Sequence, residues 1–121
     1  MTFEAKLRSI LLPLVANVWW DNTPDVVPPG DYILLSRPSG RAGWYVDNTL
    51  PDHKHARVQI TGICDRSENR EKLADKIEAA MAAADFAACE PQGNWQGFSI
   101  PGQKKYACLW QFGVWYKPDV S

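Results

Sequence analysis

From Lys104 to Tyr116 the chain runs thirteen residues in which only Gly113 disfavours extended structure. A strand of that length reaches on the order of 40 Å, about twice the usual span, so it must either bend at Gly113 through a bulge or project beyond the domain. Side chains alternate along a strand, which puts Tyr106, Cys108, Trp110, Phe112 and Val114 on one face and Ala107, Leu109, Gln111 and Trp115 on the other. Both sets are largely apolar. Such a strand is central, or is covered on one side by another chain, and a small protein with two helices cannot easily cover both faces. The run therefore constrains the architecture and hints at assembly.

The remaining elements fit around it. Phe3, Leu7, Ile10, Leu11 and Leu14 recur at helical spacing behind a possible Thr2 cap, and Pro13 ends the pattern, giving a helix over 3–12. Asp21 to Thr23, Pro24 and Pro28-Pro29-Gly30 exclude regular structure across most of 21–30. Tyr32-Ile33-Leu34-Leu35 reads as a strand, Trp44-Tyr45-Val46 as a short one, and the alternating Ala56-Arg57-Val58-Gln59-Ile60-Thr61-Gly62 as the clearest of all. Asp65 or Ser67 would cap a helix over 68–84 whose single apolar stripe is Leu73, Ile77, Ala80, Met81 and Ala84, so it should lie on a sheet. Glu90 to Lys105, rich in Pro and Gly, reads as a loop with a brief strand at 95–100. The order predicts an α+β fold: an antiparallel sheet of four to five strands with both helices on one face, in a single domain over 1–121.

Composition excludes several functions. Thirteen basic against fourteen acidic side chains give a formal charge of −1 with no basic stripe, unlike a dedicated nucleic-acid binder. The longest apolar stretch, Ile10 to Ala16 with Pro13 inside it, is about a third of the roughly 20 residues a bilayer span needs. The N-terminus does not resemble a signal peptide, so the cytoplasm is the expected site of synthesis. Cys64, Cys89 and Cys108 are odd in number and widely spaced, which predicts reduced, buried thiols.

No motif marks a catalytic centre or a cofactor site. His53 and His55 flank Lys54, and a metal would need a third ligand from Asp47, Asp52 or Cys64; exposed loop histidines are the expected alternative. The cysteines sit among Ile63, Ala107 and Leu109 and read as core positions, with no base beside them to make a nucleophile. The glycines never form a phosphate-binding pattern. Six tryptophans are many for 121 residues. Trp19, Trp20, Trp110 and Trp115 lie in apolar runs, as core or subunit interface, whereas Trp44 and Trp95 lie beside glycines and are expected to be exposed contact anchors for protein.

Taken in order, the Phe3-Glu4-Ala5-Lys6-Leu7-Arg8 helix, Asp25-Val26-Val27-Pro28-Pro29-Gly30 before Tyr32-Ile33-Leu34-Leu35, Arg57-Val58-Gln59-Ile60, the Leu73-Ala74 and Ile77 helix and the terminal Phe112-Gly113-Val114-Trp115-Tyr116 resemble the tail-completion, or tail-to-head joining, proteins of long-tailed bacteriophages and prophages. The resemblance covers nearly the whole chain. It departs at Thr61-Gly62-Ile63-Cys64, where the family more often has an acidic residue and an aromatic. It implies a tail-terminator-like α+β subunit without enzymatic activity that resides in the virion tail. Such subunits form a ring, commonly homo-hexameric, on the upper end of the tail tube, and contact the tail tube protein and the head-tail connector protein. DNA passes through the lumen without specific binding. On this reading Trp44, Tyr45 and Trp95 are expected to touch partners, and Trp110, Phe112 and Trp115 to pack subunits. The rival readings are a small-ligand or RNA-binding α+β sandwich that stacks its ligand on the aromatic-rich sheet, and an enzyme with a cysteine nucleophile.

Overall fold

The computed structural model describes residues 3–37, 54–100 and 102–116. Among the described residues two α-helices, α1 (Phe3–Leu11) and α2 (Ser67–Ala82), accompany six strands: β1 (Asn17–Trp20), β2 (Tyr32–Ser36), β3 (Lys54–Cys64), β4 (Ala87–Pro91), β5 (Gln96–Ile100) and β6 (Lys105–Tyr116). The fold is α+β. The sheet is larger than the sequence suggests and is mixed: its order is β1-β2-β3-β6-β4, β5 also pairs with β6, and β1 runs parallel to β2.

The long β6 is central. One of its edges bonds β3 in unbroken antiparallel register from Lys54↔Tyr116 to Cys64↔Tyr106. The other edge is shared, with β4 taking Phe112 to Tyr116 and β5 taking Lys105 to Leu109. Gly113 carries no bulge in the β3 ladder, and the strand does not project: β3 extends to match it. Hydrogen bonds on both edges answer the length problem without a bend.

Both helices cover one face of the sheet. Phe3, Leu7 and Leu11 of α1 and Leu73, Ala74, Ile77 and Met81 of α2 join Val18, Ile33, Leu35, Val58, Ile60, Trp110, Phe112 and Val114 in a single core. At roughly 1.5–3 kcal/mol for each fully buried large aliphatic or aromatic side chain, this layer is the main favourable term in folding. Where α2 crosses the sheet, a row of small residues, Gly62↔Cys108↔Gly97, lies beneath it. A Cβ on Gly62 would stand 2.7 Å from Leu73 Cδ2 and 2.9 Å from Cys108 Sγ, and one on Gly97 would stand 3.0 Å from Trp95 and 3.1 Å from Arg70. The glycines set how closely the helix can approach.

Three details differ from the sequence reading. The residue before α2 is Arg66, and no side chain caps that end, because the Asp65 carboxylate instead accepts a 2.5 Å bond from Lys105 Nζ. At the other end of the domain, α1 gives way to a 3-10 turn, Leu12–Leu14, at the proline. His55 stands in β3 opposite Trp115 and not in a loop, while His53, Asp47, Asp52 and the expected strand at Trp44-Tyr45-Val46 lie outside the described residues.

Candidate functional site

The sheet face turned away from the helices is the candidate interaction surface. Among the described residues no helix packs on it. Register places the rows Tyr32–Ile63–Ala107–Phe98, Trp19–Leu34–Thr61–Leu109–Gln96 and Arg57–Gly113–Glu90 across this face, with Trp115 beyond the last. Composition changes along it in bands. At the β5 end Tyr32, Ile63 and Ala107 are buried, with Trp19 and Ile100 against them, and the Trp19 and Tyr32 rings lie 5.3 Å apart and tilted. Phe98 is 43% exposed at this end and Trp115 is 39% exposed at the other.

Between the two aromatics the face is built from amides. Gln92, Asn94, Gln96 and Gln111, with Leu109, line a cleft of about 110 Å³. It exists because β4 and β5 are separate strands: the chain leaves β6 after Pro91, turns through Gly93 at φ 88° and rejoins at Gln96. Gln92 N–H still reaches the Gln111 carbonyl at 2.8 Å, which holds the break in place.

The other polar clusters are joints of the fold. At one edge of the core, the Phe3 and Tyr116 rings stack 4.0 Å apart, Arg37 lies over Phe3 at 4.9 Å, and its Nε is 3.7 Å from Glu4. Together with the 3.1 Å bond from Trp20 Nε1 to the Glu4 carbonyl, these contacts fix α1 against the sheet. The three cysteines are free thiols, Cys64 and Cys108 buried and Cys89 half-buried. Burial raises the pKa of each, and pushes Cys108 up to about 11. A thiol held protonated in this way is a poor nucleophile.

The residues singled out from sequence separate accordingly. Trp110 and Phe112 are 3% and 1% exposed and lie under the helices of their own chain, so they cannot pack a second subunit. The sequence places both helices on one face of the sheet without showing which face of β6 they cover, and it is the face of Trp110 and Phe112. Trp95 is not a free anchor either: it is half-buried against the core, its ring edge over Gly97. Trp115 does stand on the open face. Trp44 and Tyr45 lie outside the described residues. The brief strand expected at 95–100 is β5, but Phe98 and the amide band do not stand out in the sequence, because a segment holding Pro91, Gly93, Gly97, Pro101 and Gly102 otherwise reads as a loop. The alternation in Gln96-Gly97-Phe98-Ser99-Ile100 was the available signal.

No family model matches the sequence, and no curated protein matches it. Among solved structures, a protein of Akkermansia muciniphila is 10% identical over the aligned region with a TM-score of 0.45. The alignment covers 74% of this chain and 44% of that protein, so the chain spans less than half of its length.

Proposed function

We propose that this chain is a structural protein of a long-tailed phage or prophage that completes the tail: a non-enzymatic subunit that caps the tail tube and joins it to the head connector. The observation that supports this best is that, among the described residues, helices cover one face of the sheet only, and the other carries Phe98 and Trp115 at 43% and 39% exposure. Exposed aromatics on a rigid β-surface are typical anchors of protein contacts. The order of sequence motifs that resembles the tail-completion family supplies the partners. On this reading they are the tail tube protein and the head-tail connector protein, with further copies of the chain in a ring around a lumen through which DNA passes.

One feature favours the small-ligand reading, namely the amide-lined cleft. At about 110 Å³ it falls below the roughly 300–1,000 Å³ of sites that enclose a drug-sized ligand. Its side chains are neutral and hydrogen-bonding, which suits a polar protein surface as well as a small molecule. The cleft therefore ranks second.

Adding the purified chain to a lysate from a phage or prophage that lacks its gene tests the proposal. Infectious particles should rise as heads and tails join. A lysate whose titre is unchanged by active protein would contradict it.

A further inference from the structure

The open face is complementary to itself. In the row Arg57–Gly113–Glu90, a cation and an anion flank a residue with no side chain, roughly 10 Å apart across two strand spacings. Both side chains are exposed, and among the described residues no ion pair joins them. A second copy laid face to face, related by a two-fold axis along β6, exchanges left for right in every row. Arg57 of one copy then meets Glu90 of the other, twice. In the same operation Gln59 faces Gln92 beside the Gln111 row. A two-fold axis across the strands would instead set β3 on β3 and forgo the charge match. Only the strand-parallel axis places charge on opposite charge and amide on amide.

We infer that the free chain pairs with a second copy through this open sheet face, in an isologous sheet-on-sheet dimer whose register is set by reciprocal Arg57–Glu90 contacts. Aligned sheet packing of this kind is a common solution for β-layers. With the axis on β6 the overlap spans three strand columns, β3, β6 and β4 with β5, about 27 Å along the strands and about 14 Å across them, on the order of 400 Å² in projection. That is about half of the ~800 Å² that each partner gives a standard interface, so a weak, reversible dimer is expected, with a dissociation constant on the order of 10 μM. A two-fold pair closes on itself and is distinct from a ring, which needs head-to-tail contacts. The dimer would thus cover the aromatic face until a tail is met.

Sedimentation equilibrium on the wild-type chain, R57E, E90R and the double variant R57E/E90R tests this. The wild type should sediment at twice 13.6 kDa. Each single reversal should raise the dissociation constant by about tenfold or more, and the double variant should recover to within about threefold of wild type, since its charges again meet opposites. Both positions are exposed and off the core, and unchanged circular dichroism spectra confirm that each variant folds. A wild-type monomer at concentrations on the order of 100 μM, an assembly of any other size, or a double variant no better than the singles would overturn the proposal. A monomer would leave the tail-completion reading standing, because complementation of a lysate does not depend on the free chain's state.

Discussion

Trp110 donates its indole N–H to the backbone carbonyl of Ala74, 3.0 Å away, in a buried bond that fastens the central strand to the middle of α2. The two residues are thirty-six positions apart in sequence, and the contact fixes both the height and the rotation of the helix on the sheet. Trp110→Phe keeps most of the apolar contact and loses the bond, which should cost about 1–2 kcal/mol. Trp110→Ala also opens a cavity and should cost about 3–5 kcal/mol. Urea denaturation of the three proteins checks the order, and equal stability of wild type and Trp110→Phe would show that the bond contributes nothing.

Beneath the same helix, Gly62 has no room for a side chain. Gly62→Ala places a methyl group within 2.9 Å of Leu73 and Cys108 and should cost about 1–3 kcal/mol. Gly93→Ala meets no neighbour within 4 Å, but its backbone sits at φ 88°, so its cost is strain alone. Paired with Leu73→Ala, the Gly62→Ala cost should shrink, and a thermal melt of the double variant reads that coupling.

Alkaline pH should weaken the fold. Burial raises the Cys108 thiol to about 11 and raises Cys64 and Cys89 in the same direction, so the native chain holds these protons to higher pH than the unfolded chain does. Lys105 is also raised, by its bond to Asp65. In each case the folded-state value lies above the unfolded one, so the stabilisation is complete below the unfolded values. It is lost as pH climbs through the folded ones. Unfolding free energy should therefore fall between about pH 9 and pH 11, and Cys108→Ala should flatten part of the slope. At neutral pH, Cys89 should react with a thiol reagent before Cys64 and Cys108, which a peptide map would show.

Trp95 and Phe98 should behave oppositely. Trp95→Ala removes a ring packed on the core and over Gly97, and should lower the melting temperature. Phe98→Ser removes an exposed ring and should leave stability within about 0.5 kcal/mol of wild type while reducing the joining of heads to tails. A stable Trp95→Ala protein would restore that tryptophan as a partner anchor.

Much of the architecture was legible because hydrophobic periodicity is local. The stripe Leu73, Ile77, Met81 fixed α2, and alternation fixed β3 and β6 to within a few residues. What escaped depends on partners distant in sequence. Asn17–Trp20 is a four-residue strand that exists because β2 aligns parallel to it, after an irregular loop that turns at Gly30, φ 109°. Ala87–Pro91 ends in a proline, tolerated because that strand lies at the sheet edge. The helix cap failed for an electrostatic reason, since Asp65 is drawn to Lys105 forty residues on. The candidate site was half legible: apolar β6 residues were evident, but which of the two β6 faces lies under the helices depends on packing between elements distant in sequence.

The proposed role of the chain lies at the upper end of a phage tail. Deleting the gene from its phage or prophage and viewing the induced lysate by negative-stain electron microscopy tests it most directly. Filled heads beside unattached or overlong tails are expected. Normal, infectious particles would contradict it.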